Sequence, residues 1–206
     1  EDYYKKDDLI ATITTDETGV AKLTDLPLGK YYVKEKETAN GYVLDGTARE
    51  IDLTYRDQDT AEVTYSSDWQ NNRQKAEVKV LKKEKDSDRV LEGAVFVLCN
   101  KEDIVNANGD VILKADTVIE EQATDKEGKL TFTADLPIGY TYYVKETSPA
   151  PGFATTDQVQ EFTFEYDGAD KETLSYEFTF EDEPTVVEIT KTSLTDGKEL
   201  EGSKLK

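Results

Sequence analysis

The chain has 206 residues, with 25 Lys+Arg against 45 Asp+Glu, a formal charge of −20, a single cysteine, and neither histidine nor methionine. Without histidine there is no Ser-His-Asp triad, no Cys-His dyad and no His-ligated zinc, and Cys99 alone permits neither an intrachain disulfide nor a two-cysteine metal half-site, so no metal or cofactor is expected. The negative charge repels phosphate backbones and anionic membranes, and no apolar run approaches the roughly 18 residues that span a bilayer, so neither nucleic acid nor membrane insertion is expected.

Aromatic residues make up 10% of the chain, too many for a solvating acidic tail, so a packed fold is expected. In chain order, Asp16-Glu-Thr-Gly19 reads as a turn, and Asp25-Leu-Pro-Leu-Gly29 follows. Tyr31-Tyr-Val-Lys-Glu35, Ala39-Asn-Gly-Tyr42 and the alternating Ile51/Leu53/Tyr55 follow, then Trp69 leading to Asn71. Next come Val78-Lys-Val-Leu-Lys82 and Leu91-Glu-Gly-Ala94. Cys99 follows Phe96 and Leu98 and reads as a strand residue, with no basic cluster to activate a thiol. Asn106-Ala-Asn-Gly-Asp110 resembles a calcium loop only faintly and reads as a turn, like Asp125-Lys-Glu-Gly128.

From there the chain repeats itself. Asp135-Leu-Pro-Ile-Gly139 copies Asp25-Leu-Pro-Leu-Gly29 at an offset of 110. Tyr142-Tyr-Val-Lys-Glu146, Ala150-Pro-Gly-Phe153 and Phe162-Thr-Phe-Glu-Tyr166 copy their counterparts at an offset of 111. Tyr176/Phe178/Phe180 then alternates toward Asp182, which matches Asn71 at that same offset. Val187-Glu-Ile-Thr-Lys191 with Leu200-Glu-Gly-Ser203 repeats the 78–94 segment at an offset of 109. The expected domains are therefore 1–73, lacking its first strands, a complete 74–184, and 185–206, the opening of a third. No leader or sorting signal is recognisable, and the chain is expected to be a mature portion or a fragment that begins and ends inside domains. Short strands at period two between frequent turns imply antiparallel β-sandwiches.

The same alternation carries ionisable residues to inward positions at strand ends: Lys82 after Val78 and Val80, Glu146 after Tyr142 and Val144, Asp182 after Phe178 and Phe180. Glu35 and Asn71 occupy the same register in the first repeat, and Lys191 in the third. Burying a Lys with two carboxyls is costly unless they pair or neutralise. Spacing alone leaves open a reacted group, an unreacted buried ion pair, or exposed strand-end charges. Lys83, Lys85, Glu181 and Glu183 stand nearby as rivals. Leu81, apolar on the opposite face, departs from strict alternation.

Lys82 with Leu91-Glu-Gly-Ala-Val-Phe96, Glu146 with Ala150-Pro-Gly-Phe153, and Asp182 just before Pro184, in that order, resemble the tandem Cna B-type (SpaA-like, prealbumin-like) domains of Gram-positive cell-wall-anchored adhesins and pilins. The resemblance implies an all-β array of immunoglobulin-like sandwiches on an extracellular, wall-attached stalk. It also implies a self-made intramolecular isopeptide bond, with Lys82 as nucleophile, Asp182 as electrophile and Glu146 as proton shuttle. Such chemistry is single-turnover and does not make the chain an enzyme. Desolvation is expected to favour a neutral amine and a protonated Glu, and proximity makes the step unimolecular. The partners implied are neighbouring repeats and, through the parent protein, a host matrix protein or glycan. In the first repeat Ala39-Asn-Gly-Tyr42 lacks the family's Pro, and Lys5 and Lys6 precede no Leu-x-Gly-Ala signature. Glu35 and Asn71 thus lack a nucleophile, and Lys191 lacks partners. The alternative reading is a binding module whose loops, with Trp69 and the tyrosines, hold a host ligand; a glycosidase built on paired carboxyls stands behind it.

Overall fold

The computed structural model describes residues 4–59 and 62–205. The outermost residues of the first and third expected domains, 1–3 and 206, lie outside the described residues. The chain divides into two compact units, Glu1–Asn72 and Arg73–Lys206.

The first unit contains β1 (Lys30–Val33) and β2 (Arg49–Asp52), paired antiparallel from Lys30↔Asp52 to Val33↔Arg49. The alternation at 51–55 predicts a longer β2. It stops at Asp52, the last backbone pair joining Gly29 and Leu53, and beyond it the Asp52 carboxylate accepts the Thr54 amide at 3.0 Å and the Thr54 hydroxyl at 2.7 Å in a local turn. The Asp16 turn forms as expected: its carboxylate accepts the amides of Thr18 and Val20, as that of Asp125 accepts those of Glu127 and Lys129.

The second unit is a two-layer sandwich. Its strands are β3 (Lys75–Glu84), β4 (Val95–Asn100), β5 (Ile104–Val105), β6 (Val111–Leu113), β7 (Val118–Ala123), β8 (Lys129–Phe132), β9 (Tyr140–Ser148), β10 (Val159–Phe164) and β11 (Thr173–Asp182). One layer has the order β10-β9-β4-β7 and the other β11-β3-β8, while β5 and β6 form a small hairpin around the Asn106 turn. Asn106 Oδ1 closes that turn on the amides of Asn108 and Asp110. Among the described residues every ladder is antiparallel except one. The first and last strands, β3 and β11, run parallel from Thr173↔Lys75 to Asp182↔Glu84. Period-two alternation is the same for both directions, so residue pattern does not reveal this.

Val78 and Val80 from β3, Phe96 and Leu98 from β4, Phe132 from β8, Tyr142 and Val144 from β9, and Phe164 and Phe180 form the buried core. Phe96 and Phe180 meet across the layers with centroids 4.8 Å apart. Each fully buried ring contributes about 1.5–3 kcal/mol of transfer free energy. Val97, Cys99 and Tyr143 point the other way from the four-stranded layer and form a small outer cluster, which explains why the run Val97-Leu-Cys is buried throughout. Burial raises the Cys99 thiol above its ordinary value, consistent with a strand residue and not an activated thiol. Among the described residues, no helix is long and apolar enough to cross a membrane.

Candidate functional site

Three charged side chains from three strands meet at one end of the sandwich interior. Lys82 lies near the end of β3, Asp182 is the last residue of β11, and Glu146 enters from β9 in the facing layer. Parity puts each on the inward face. The parallel ladder pairs Phe180 with Lys82 and Glu84 with Asp182, so Lys82 and Asp182 are diagonal neighbours on that face. Opposite Glu146 stands Phe96. There the register slips by one residue between Val95 and Phe96, a bulge beyond which β9 pairs again, Ser148 with Val95.

The side chains of Lys82, Glu146 and Asp182 are completely buried. Lys82 Nζ donates to Asp182 Oδ1 and lies 3.0 Å from Glu146 Oε1. Its ammonium also sits 5.6 Å from the centre of the Phe96 ring. Glu146 Oε2 accepts the Thr156 amide at 3.1 Å. Two buried oxygens, Glu146 Oε1 and Asp182 Oδ2, have no hydrogen-bond partner among the described residues. One ammonium against two carboxylates would leave a net negative charge in a dry interior, which is expensive. A proton retained on one carboxyl removes it. Burial pushes the Glu146 pKa up and the neighbouring Asp182 charge adds to the rise, outweighing the Thr156 amide and the Lys82 ammonium, which lower it.

The site is built by its neighbours. Lys82 N donates to Gly128 O at 2.7 Å, and Leu91 N donates to Lys82 O at 3.0 Å, so the backbone of Lys82 is held on both sides. Gly128 has φ of 69°, and a Cβ there would stand 2.7 Å from Lys82 O, so only glycine fits. Thr124 Oγ1 donates to Leu91 O and accepts the Ala94 amide, which pins the Leu91–Ala94 turn. Sequence reading passed over Thr124, Gly128 as a site residue, Phe96 as the ring beneath Lys82, and the Thr156 amide. Only the offsets between repeats could have pointed to such supporting residues.

The rivals lie at the surface. Lys85 pairs with Glu183 in an exposed contact, Lys83 lies 3.8 Å from the exposed Asp88, and Glu181 is exposed. Leu81 is half-buried on the outer face of β3, which accounts for its departure from alternation.

In the first unit Glu35 and Asn71 are also brought together. Asn71 Nδ2 donates to Glu35 Oε2 at 2.6 Å, to Thr38 Oγ1 at 2.9 Å and to Val43 O at 3.0 Å. Glu35 Oε2 accepts the Asp45 amide at 2.9 Å, which is the first-repeat counterpart of the Thr156 amide on Glu146. The repetition extends to the supports: Tyr31 donates its hydroxyl to Pro27 O, and Tyr142 to Pro137 O at 2.7 Å. Lys191 is exposed and makes no ion pair among the described residues. Trp69 is half-buried under the Arg49 guanidinium, 4.1 Å from its ring centre.

The profile of the SpaA prealbumin-like fold domain matches residues 2–69 and 76–179. Among solved structures, the TIE protein of Bacillus anthracis is 26% identical, with a TM-score of 0.57 over 84% of this chain and 28% of that one. The chain therefore spans little more than a quarter of that protein's length. The minor pilin GBS52 of Streptococcus agalactiae is 22% identical over 88% of this chain and 71% of its own, with a TM-score of 0.40. The pilus 2b backbone protein of group B streptococcus is 22% identical over 79% of this chain and 52% of its own, with a TM-score of 0.39. No curated protein matches the chain.

Proposed function

The chain belongs to the SpaA family of prealbumin-like fold domains, and on that premise we propose that it is a structural stalk segment of a wall-attached surface protein of a Gram-positive bacterium, stiffened by a Lys82–Asp182 isopeptide bond. The observation that carries this reading is the fully buried contact of Lys82 with Asp182, with Glu146 Oε1 3.0 Å from the same Nζ. In the proposed step the ammonium gives a proton to the Asp182 carboxylate, and the neutral Nζ attacks Asp182 Cγ. The new C–N bond forms as a C–O bond breaks. Glu146 takes the second Nζ proton and delivers its own to the leaving oxygen, which departs as water. Burial supplies the driving conditions, because the product is a neutral amide where an ion pair stood.

The mechanical consequence follows from topology. Tension entering at Lys75 runs along β3 to Lys82, crosses the bond, and leaves at Asp182 next to Pro184. The residues between are bypassed. The proposed repeats are 1–73, 74–184 and 185–206, with Glu35 and Asn71 as the acceptor half of the first site and Lys191 as the nucleophile of the third. The segment's immediate partners are neighbouring repeats, and a host matrix protein or glycan would be held by the parent protein. The test is the intact mass of the denatured chain. A deficit of about 18 Da, mapped to Lys82 and Asp182 by peptide sequencing, is expected; full sequence mass would remove the covalent strut.

A further inference from the structure

The loop that follows the Glu strand makes the same two contacts in each unit. In the second, Ala154 N donates to Glu183 O at 3.0 Å, and Thr156 N, two residues on, donates to Glu146 Oε2 at 3.1 Å. In the first, Val43 N donates to Asn72 O at 2.8 Å, and Asp45 N donates to Glu35 Oε2 at 2.9 Å. Glu183 directly follows Asp182, and Asn72 directly follows Asn71. One three-residue segment therefore ties the Glu side chain to the chain end of its carbonyl-bearing neighbour.

The two loops have few residues in common. Val43 stands against Ala154, Leu44 against Thr155, Gly46 against Asp157 and Thr47 against Gln158. What they share is a side-chain oxygen on the residue whose amide holds the Glu. Asp45 Oδ1 accepts the Thr47 amide at 3.0 Å, and Thr156 Oγ1 accepts the Gln158 amide at 3.2 Å. A side chain that accepts the amide two residues on closes a local turn and holds its own backbone in place. Sheet pairing does not supply that hold, because neither 43–47 nor 154–158 lies in a strand.

The Glu carboxyl needs it. Rotation about the last torsion of a Glu side chain is broad. Glu146 Oε1 has no hydrogen-bond partner among the described residues, although it lies 3.0 Å from Lys82 Nζ. The Thr156 amide occupies Oε2 and leaves Oε1 facing the amine. Proton transfer depends on that alignment, and a displacement of about 1 Å can cost a factor of about 100 in rate.

We propose that residues 154–156 are a positioning clamp for the bond between Lys82 and Asp182, set by Thr156, whose amide reserves Glu146 Oε1 for proton transfer and whose hydroxyl holds that amide in line. Asp45 plays the same part for Glu35. The inference rests on the reading of Lys82, Glu146 and Asp182 as a bond-forming site.

The test follows the deficit of about 18 Da with time in the whole chain, made by cell-free synthesis and quenched in acid. Thr156→Pro removes the N–H and should slow the bond by about 100-fold. Its unreacted form should match Glu146→Gln, which also lacks the bond, in denaturant midpoint. A midpoint well below that of Glu146→Gln would make Thr156 a folding residue and overturn the clamp. Thr156→Val keeps the N–H but loses the acceptor and should react about fivefold more slowly, while Thr156→Ser and Thr156→Asp, which keep an acceptor, should recover the rate. Where Thr156→Pro does not fold, the comparison of valine with serine decides. A wild-type rate in Thr156→Pro, or a Thr156→Ser chain no faster than Thr156→Val, overturns the clamp and leaves the bond standing. A wild type that keeps its full sequence mass overturns the bond-forming reading and the clamp with it.

Discussion

Replacing Glu146 by glutamine separates the proton carrier from everything else at the site. Glutamine keeps the shape of the side chain and leaves Lys82 paired with Asp182, now as a neutral trio with no titratable third member. The bond should not form, because no buried group remains to carry a proton from Nζ to the leaving oxygen. The cost can be worked from chain entropy. Lys82 and Asp182 are 100 positions apart, and a cross-link closing about 100 residues removes unfolded-state entropy worth about 4.7 kcal/mol. A repeat of about 110 residues unfolds with an entropy near 0.23 kcal/mol/K, so the midpoint should fall by about 20 °C. Intact mass and calorimetry on the same samples read both quantities. A Glu146→Gln chain that still shows the deficit of about 18 Da would refute the proton-shuttle argument. A chain that loses the deficit without losing thermal stability would refute the entropic account.

Asp182→Asn should still cross-link, now by losing ammonia, and the mature product should be indistinguishable in mass from the wild type; an unreacted variant would mean that the site requires a carboxylic acid. Burial raises the Glu146 pKa, so the folded chain holds that proton more tightly than the unfolded one. Its contribution to stability is complete below the ordinary value near 4.5 and is lost as pH rises through the raised folded value. Denaturant midpoints across that window should fall with pH more steeply for wild type than for Glu146→Gln, and parallel profiles would contradict this. Gly128→Ala drives a Cβ into Lys82 O and Val90 at a φ of 69°, and should cost about 1–3 kcal/mol in chemical denaturation. An unchanged midpoint would show that the turn relaxes freely.

Much of the site was legible because strands alternate. Once Val78 and Val80, Tyr142 and Val144, and Phe178 and Phe180 are read as inward, Lys82, Glu146 and Asp182 must be inward as well. The turn residues Asp16 and Asp125 were readable for a similar reason, since their hydrogen bonds are local and their chemistry is visible within a single turn. The strand at Ile51–Tyr55 was read too long because alternation continues past Leu53, the last residue bonded to the facing strand, into the local Asp52–Thr54 turn.

The amino-acid sequence by itself determined the repeats, the all-β class, the turn positions and the faces on which the charged residues lie. These follow from local chemistry and from a period of two. Tertiary structure alone decided that β3 and β11 run parallel, that Phe96 lies beneath the amine, and that the Thr156 amide holds Glu146. A face says nothing about the strand that will cover it. Partner, direction and depth of burial depend on contacts between residues as many as 100 positions apart.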